Sequence, residues 1–292
     1  MKLALGTVQF GLNYGIANQS GQVSLAQASE TLALARLHGI ADLDTAIAYG
    51  DAEARLGQIG VQDFRVVTKL PPLPATLPAD VADAGVWARA QLAGSLHRLG
   101  LNSVYGLMLH RSADLLGPEG PALIQALEDM QSDGIVKKLG ISIYAPSELD
   151  AAIALARWGL VQAPFNLIDR RLQTSGWLQR LKELGVEVHT RSAFLQGLLL
   201  KSANDLPPEF LPWRTLWERW QAWQCASGYS ALEACLAFAQ SFPEVDRVVV
   251  GVDGLAHLQD ILTAQRNQVP SCWPTIASDD DRLINPSRWA EF

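Results

Sequence analysis

Short apolar runs rich in Val, Leu and Ile recur along the chain, and most are followed by a longer stretch with helical spacing of apolar positions. The runs predict strands at 3–7, 40–44, 64–70, 104–110, 137–143, 160–165, 186–191 and 246–251. The intervening stretches predict helices near 25–38, 52–59, 83–99, 121–133, 147–157, 175–184, 230–240 and 255–265. Local chemistry marks several boundaries. Ser24-x-x-Gln27 and Ser230-x-x-Glu233 are capping boxes, in which side chains satisfy the free N–H groups of a helix start. Gly39, Gly100, Gly134, Gly159 and Gly185 each stand just after a helical pattern, where a left-handed residue closes the last turn. Eight strand–helix repeats in 292 residues predict an α/β chain folded as one (β/α)8 TIM barrel over 1–292, rather than a doubly wound sheet.

Two stretches interrupt this rhythm. Residues 71–80 hold Pro71, Pro72, Pro74 and Pro78, a stiff loop after the third strand. Residues 201–229 delay the helix after the seventh strand and carry an inserted helix around 213–225. Its Trp213, Trp217, Trp220 and Trp223 approximate one face, which reads most simply as packing against the barrel, with a substrate lid as the alternative. The C-terminal tail, 267–292, contains an acidic turn at 279–281 and two tryptophans, Trp273 and Trp289, read as packing residues with a pocket wall as the alternative.

Composition narrows the partners. With 49% hydrophobic and 18% charged residues the chain is able to bury a large core. A net charge of −7 and the lack of any Lys/Arg cluster longer than a pair argue against nucleic acid or an anionic membrane. No run approaches the ~20 apolar residues of a membrane helix, and the first residues lack the apolar stretch of a signal peptide. Three cysteines without a CxxC pair lead to the expectation of a reduced, cytoplasmic protein. His38, His97, His189 and His257 have no ligand spacing, so no metal is expected and each reads as structural or surface.

Four residues stand out by position. Asp44 closes the second run, Tyr49 follows five residues later, Lys69 closes the third run and His110 the fourth. Singly, each has a plainer role as a cap, a loop aromatic, a solvated lysine or a loop-bonded imidazole. Jointly they fall at the C-terminal ends of adjacent barrel strands, where such barrels place their chemistry.

At these residues the chain resembles the aldo-keto reductase family. The resemblance runs through Leu5-Gly-Thr-Val-Gln-Phe-Gly11, Leu43-Asp-Thr-Ala-Ile-Ala-Tyr49, Val67-Thr-Lys69 and Leu109-His110. It continues in Leu139-Gly-Ile-Ser142, Gln162-Ala-Pro-Phe-Asn166 with Asp169-Arg170, and Gly197-Leu-Leu199. It implies a catalytic tetrad of Asp44, Tyr49, Lys69 and His110 that reduces an aldehyde or ketone, sugar-derived carbonyls among them. Tyr49 is then the proton donor. Lys69, held by Asp44, is expected to draw the phenol toward phenolate, and His110 to orient the carbonyl oxygen. The hydride must come from a cofactor.

No Gly-x-Gly-x-x-Gly follows a strand, so a Rossmann site is not expected. The resemblance instead implies a nicotinamide across the barrel mouth, its carboxamide held by Ser142, Gln162 and Asn166. Ile143 replaces the Asn that the family usually has beside the Ser. The usual stacking aromatic falls on Arg191 or Ser192; a guanidinium there is able to stack or to bind a substrate anion, and a rim salt bridge is the plainer reading. At the adenosine end stand Gly251, Asp253 and Gly254. The family norm implies NADPH, whereas an Asp near a 2′-phosphate repels it and favours NADH. The expected partner is therefore a small-molecule carbonyl substrate. Two rivals remain: a non-catalytic nicotinamide-binding barrel acting as an interaction or regulatory subunit, and a lyase using Lys69 as a Schiff base.

Overall fold

Eight parallel strands close into one barrel in chain order in the computed structural model. It describes all residues except 17, 19, 79, 80, 266–268 and 292, and no side chain is described at 290 or 291. The strands are β1 (Leu3–Gly6), β2 (Asp42–Asp44), β3 (Arg65–Leu70), β4 (Val104–Leu109), β5 (Val136–Ser142), β6 (Leu160–Pro164), β7 (Glu187–Arg191) and β8 (Arg247–Gly251). β8 closes on β1 from Leu3↔Val248 to Gly6↔Gly251. This is the (β/α)8 barrel that the apolar pattern implies, with each strand within two residues of its expected ends.

The core forms in two parts. Val67, Met108 and Leu160 pack as a small cluster among the strands, where Gly106 and Gly140 have no side chain to compete with them. A Cβ on Gly140 would lie 2.7 Å from Met108 Cγ. Most of the remaining apolar side chains join a larger layer between the sheet and the helices. At the N-terminal end of the barrel the charges close on one another. Asp42 accepts from Arg65 and Arg247, and Glu187 accepts from Tyr105 and Lys138 and contacts His189.

Both capping boxes form, at Ser24 and Ser230. Gly39, Gly100, Gly134 and Gly185 are left-handed, but Gly159 is not; its N–H instead enters the sheet by donating to Leu139 O. The helix expected over 147–157 is only Glu148–Ala152. The Ala152 carbonyl, which a continuing helix would use, accepts from the Trp158 indole at 2.8 Å. Left-handed Gly176 separates a short Arg171–Thr174 helix from Trp177–Glu183, so the helix expected over 175–184 starts later.

The inserted helix is Arg214–Ser227. Trp217 and Trp220 are buried, and their indoles donate to Leu198 O and Leu199 O. They lock the segment that follows β7 to the outer helical layer. In the tail, Trp289 packs edge-on against Phe210 and Trp273 against Phe238. Residues 79 and 80 of the proline loop and 267, 268 and 292 of the tail lie outside the described residues. Among the described residues no helix is long and apolar enough to cross a membrane.

Removing the buried Trp217 side chain takes away both its apolar area and its bond to Leu198 O. Trp217→Ala is expected to lose about 3–5 kcal/mol in urea unfolding while the barrel persists by circular dichroism.

Candidate functional site

The loop after β2 is shaped by two glycines. Gly50 takes φ +55°, and a Cβ there would lie 2.4 Å from Gly11 O; a Cβ on Gly11 would lie 1.8 Å from Tyr49 O. The two backbones therefore interlock, with Ala52 N–H donating to Tyr49 O, and this aims the Tyr49 ring at the barrel mouth.

Beneath it lies a buried ion pair. Lys69 Nζ donates to Asp44 Oδ1 at 2.7 Å, Asp44 Oδ2 at 2.8 Å and Thr45 O at 2.9 Å, and stands 3.5 Å from Tyr49 Oη. The Lys69 side chain is 1% exposed and lies behind the cavity wall rather than in it. Its hydrogens are taken by Asp44 and Thr45 O and it does not line the cavity, an arrangement that speaks against the Schiff-base rival. His110, directly after β4, meets the Tyr49 ring edge-on at 6.0 Å.

These groups border a cavity of about 620 Å³ at the C-terminal end of the strands. Its wall includes Asp44, Tyr49, His110, Ser142, Gln162, Arg191, Ser192, Gly251 and Asp253. Of the residues expected here, Asn166 is absent. Its Oδ1 accepts from Ile168 N and Asp169 N, and its Nδ2 donates to Ser192 O, so both ends of the amide clamp backbone. Asn166, expected to help hold the carboxamide, thus stands outside the cavity wall with its amide bonded to backbone at both ends. Gln162 is divided, its Nε2 donating to Asp44 Oδ2 at 2.7 Å. Arg191 has no carboxylate partner among the described residues, which overturns the rim salt bridge; it donates to Ile143 O and packs over the Tyr144 ring at 4.5 Å. Ser192 is left-handed at φ +63°, as are Leu195 and Gln196 in the same loop.

Several wall residues escaped the sequence argument. Gln9, Tyr14, Tyr144, Gln196 and His257 all line the cavity, His257 at the exposed position expected of it. Gln196 Nε2 donates to Tyr14 Oη at 3.1 Å, joining the loops after β1 and β7 across the mouth. The strand-end rule, extended a few residues into each loop, finds Tyr144 and Gln196; nothing local marks their contacts. Neither the Arg214–Ser227 helix nor Trp273 nor Trp289 reaches the wall.

The electrostatics differ from expectation at Tyr49. Burial first, then Asp44, hold the phenol well above its usual range, while Arg191 opposes this. Lys69 is itself lowered, mainly by burial, with Asp44 pulling it back up. Tyr49 therefore stands as a neutral phenol, rather than being drawn toward phenolate, because burial outweighs the nearby cations. His110 is pushed down to about 4 by burial, then by Lys69 and Arg191, and is a neutral imidazole at pH 7.

Residues 2–271 match the sequence model of the aldo/keto reductase family. The chain belongs to that family. A curated relative, an aldo-keto reductase of Gibberella moniliformis (strain M3125 / FGSC 7600), is 24% identical over 223 residues, spanning 72% of this chain and 65% of the relative's own length. Among solved structures, aldo-keto reductase AKR11C1 from Bacillus halodurans in its holo form superposes with a TM-score of 0.72 at 19% identity, over 92% of this chain and 88% of that one. The glycerol dehydrogenase AKR11B4 from Gluconobacter oxydans gives 0.71 at 19%, with the same coverage. At such identities the superpositions establish a shared barrel and no more.

His110 gives this family member a signature in acid. Its folded pKa lies below the ordinary 6.5, so the unfolded chain binds the extra proton first as pH falls. His110 therefore costs stability progressively from about pH 6.5 down to about 4, and nothing further below that. Its ring signals in NMR are expected to titrate near pH 4, whereas a midpoint near 6.5 would show a solvated imidazole.

Proposed function

We propose that this chain reduces an aldehyde or ketone to an alcohol with a nicotinamide cofactor. The supporting observation is the Lys69 clamp, an ammonium held by Asp44 and Thr45 O at 3.5 Å from the phenol of Tyr49, with His110 alongside.

The wall has groups suited to such a cofactor. Ser142 and Gln162 are register partners on β5 and β6; a hydroxyl donor beside the Gln162 Oε1 acceptor matches a carboxamide. At the other side, buried Gln9 Oε1 has no protein partner, and Gly251 leaves the backbone bare where a Cβ would lie 2.6 Å from the Gln9 amide. Ser142 and Gln162 would hold the nicotinamide end, Ser192 the middle, and Gly251 and Asp253 the adenosine end. When bound, the cofactor supplies the hydride that no side chain is able to give.

The chain's own residues do the rest. His110, neutral and bordering the cavity, orients the substrate oxygen beside Tyr49. Tyr49 Oη gives its proton to that oxygen as charge develops. The adjacent Lys69 ammonium stabilises the phenolate left behind. Asp44 keeps Lys69 charged and in place, and Gln162 steadies Asp44.

In a steady-state assay with NADH or NADPH and a simple aldehyde such as 4-nitrobenzaldehyde, turnover is expected. Tyr49→Phe should lower kcat by about 10²–10⁴-fold. Saturable cofactor binding, followed by quenching of the nine tryptophans, without turnover of any carbonyl would return the chain to the non-catalytic alternative.

For cofactor choice, we favour NADH. The Asp253 side chain is 17% exposed, lines the cavity, and among the described residues its one ion-pair partner is His257, at 3.7 Å. A carboxylate there repels a 2′-phosphate and accepts from a free 2′-hydroxyl. NADH is expected to bind about tenfold more tightly than NADPH, and Asp253→Ser to narrow that gap. Equal affinities in the wild type would remove the role for Asp253.

A further inference from the structure

Arg191 is the last residue of β7, and its guanidinium crosses to the neighbouring strand ends, where Nη2 donates to Ile143 O at 3.0 Å. Ile143 directly follows β5, whose neighbour β4 leads into His110. The cation therefore lies on the His110 side of the mouth. Its electrostatic effect reaches the constellation, lowering Lys69 and His110 and opposing the rise of Tyr49.

The platform beneath it is built. The guanidinium lies over the Tyr144 ring. Tyr144 is in turn held by its N–H donating to Glu148 Oε1 at 2.7 Å and its carbonyl accepting from Arg171 at 3.0 Å. Glu148 is fixed by the Ser112 hydroxyl. Arg191 thus has a defined orientation, yet it uses few of its five N–H donors: one bond to Ile143 O and a long 3.4 Å contact to Ser192 Oγ.

The acidic groups of the cavity are engaged elsewhere. Asp44 accepts from Lys69 and Gln162, and Asp253 stands at the β8 end beside His257. A half-buried guanidinium without a counter-charge is costly to hold, and its planar fork matches an oxyanion. Arg171 does have such a partner in Asp169, whereas Arg170 spends its donors on Leu167 O and Pro274 O over the Phe238 ring.

We infer that Arg191 binds an oxyanion carried by the substrate, so that the preferred substrates are carbonyl compounds bearing a carboxylate or phosphate. This rests on the carbonyl-reductase reading above and names its substrate class. A guanidinium beside His110 anchors the charged end while the carbonyl lies between His110 and Tyr49. The contact is a charge-assisted pair, shielded from solvent on the Tyr144 side.

The test compares matched aldehydes: 4-carboxybenzaldehyde with benzaldehyde, succinic semialdehyde with butanal, and glyceraldehyde 3-phosphate with glyceraldehyde. The ratio of kcat/KM, anionic over neutral, is taken within each variant, so a general loss of activity cancels. The wild type is expected to prefer at least one anionic series by about tenfold or more, with the carboxylate and phosphate pairs distinguishing the two sources. Arg191→Gln should bring that ratio close to one, chiefly through KM, and Arg191→Lys should restore part of it. A wild-type ratio near one overturns the inference, as does Arg191→Gln lowering both members alike, which would mean that Arg191 serves the cofactor or the fold. If no aldehyde turns over, the reductase reading has failed instead. Calorimetric titration with 4-carboxybenzyl alcohol then decides the anion site alone, and a Kd unchanged by Arg191→Gln overturns it.

Discussion

The ion pair between Lys69 and Asp44 organises the mouth of this barrel. A lysine 1% exposed at a strand end is tolerable only if its charge is matched and its hydrogens are taken, and Asp44 with Thr45 O does both. That requirement ties β2 to β3. Gln162, donating to the same carboxylate, brings in β6 from 118 residues away. Tyr49, placed by the Gly11–Gly50 contact, stands above the pair, so the partly buried phenol has an ammonium within reach where it borders the cavity.

The two ends of the barrel treat charge differently. At the N-terminal end Asp42, Arg65 and Arg247 form one set and Glu187, Lys138 and Tyr105 another, and the carboxylates there are met by cations. Glu187 is held far below the usual carboxylate range despite its burial, because His189, Lys138 and Tyr105 all bond it. That end stabilises. At the C-terminal end the ion pair is equally tight, but Tyr49, His110, Ser142 and Arg191, with their polar side chains, line a cavity. Polar capacity left over beside a closed ion pair is what separates a site from a structural plug.

The strands and the positions of Asp44, Lys69 and His110 were legible because strand period and strand ends are local properties. The surroundings of Asn166 were not legible for the opposite reason: where its amide points depends on Ile168, Asp169 and Ser192, and the last of these lies on a different strand's loop. The short helix Glu148–Ala152 failed likewise. Its residues favour continuation, but the Ala152 carbonyl accepts from the Trp158 indole and from Leu155 N–H three residues on, which closes a turn instead. For Tyr49, a neighbouring cation suggested a lowered pKa, and burial together with the Asp44 charge reversed the direction.

By itself, the sequence determined the barrel, the order of its strands and which chemical groups arrive at one rim, since a parallel (β/α)8 closure puts every strand's C-terminal end on the same face. The tertiary structure decided which of those groups are free to act. Among the described residues Arg191 has no carboxylate partner while Arg171 has one, Gln162 is divided between Asp44 and the cavity, and Tyr14 meets Gln196 across 182 residues. Hydrogen-bond partners and burial are set by contacts between distant segments, and these determine both the protonation of a side chain and whether it has a bond left to offer.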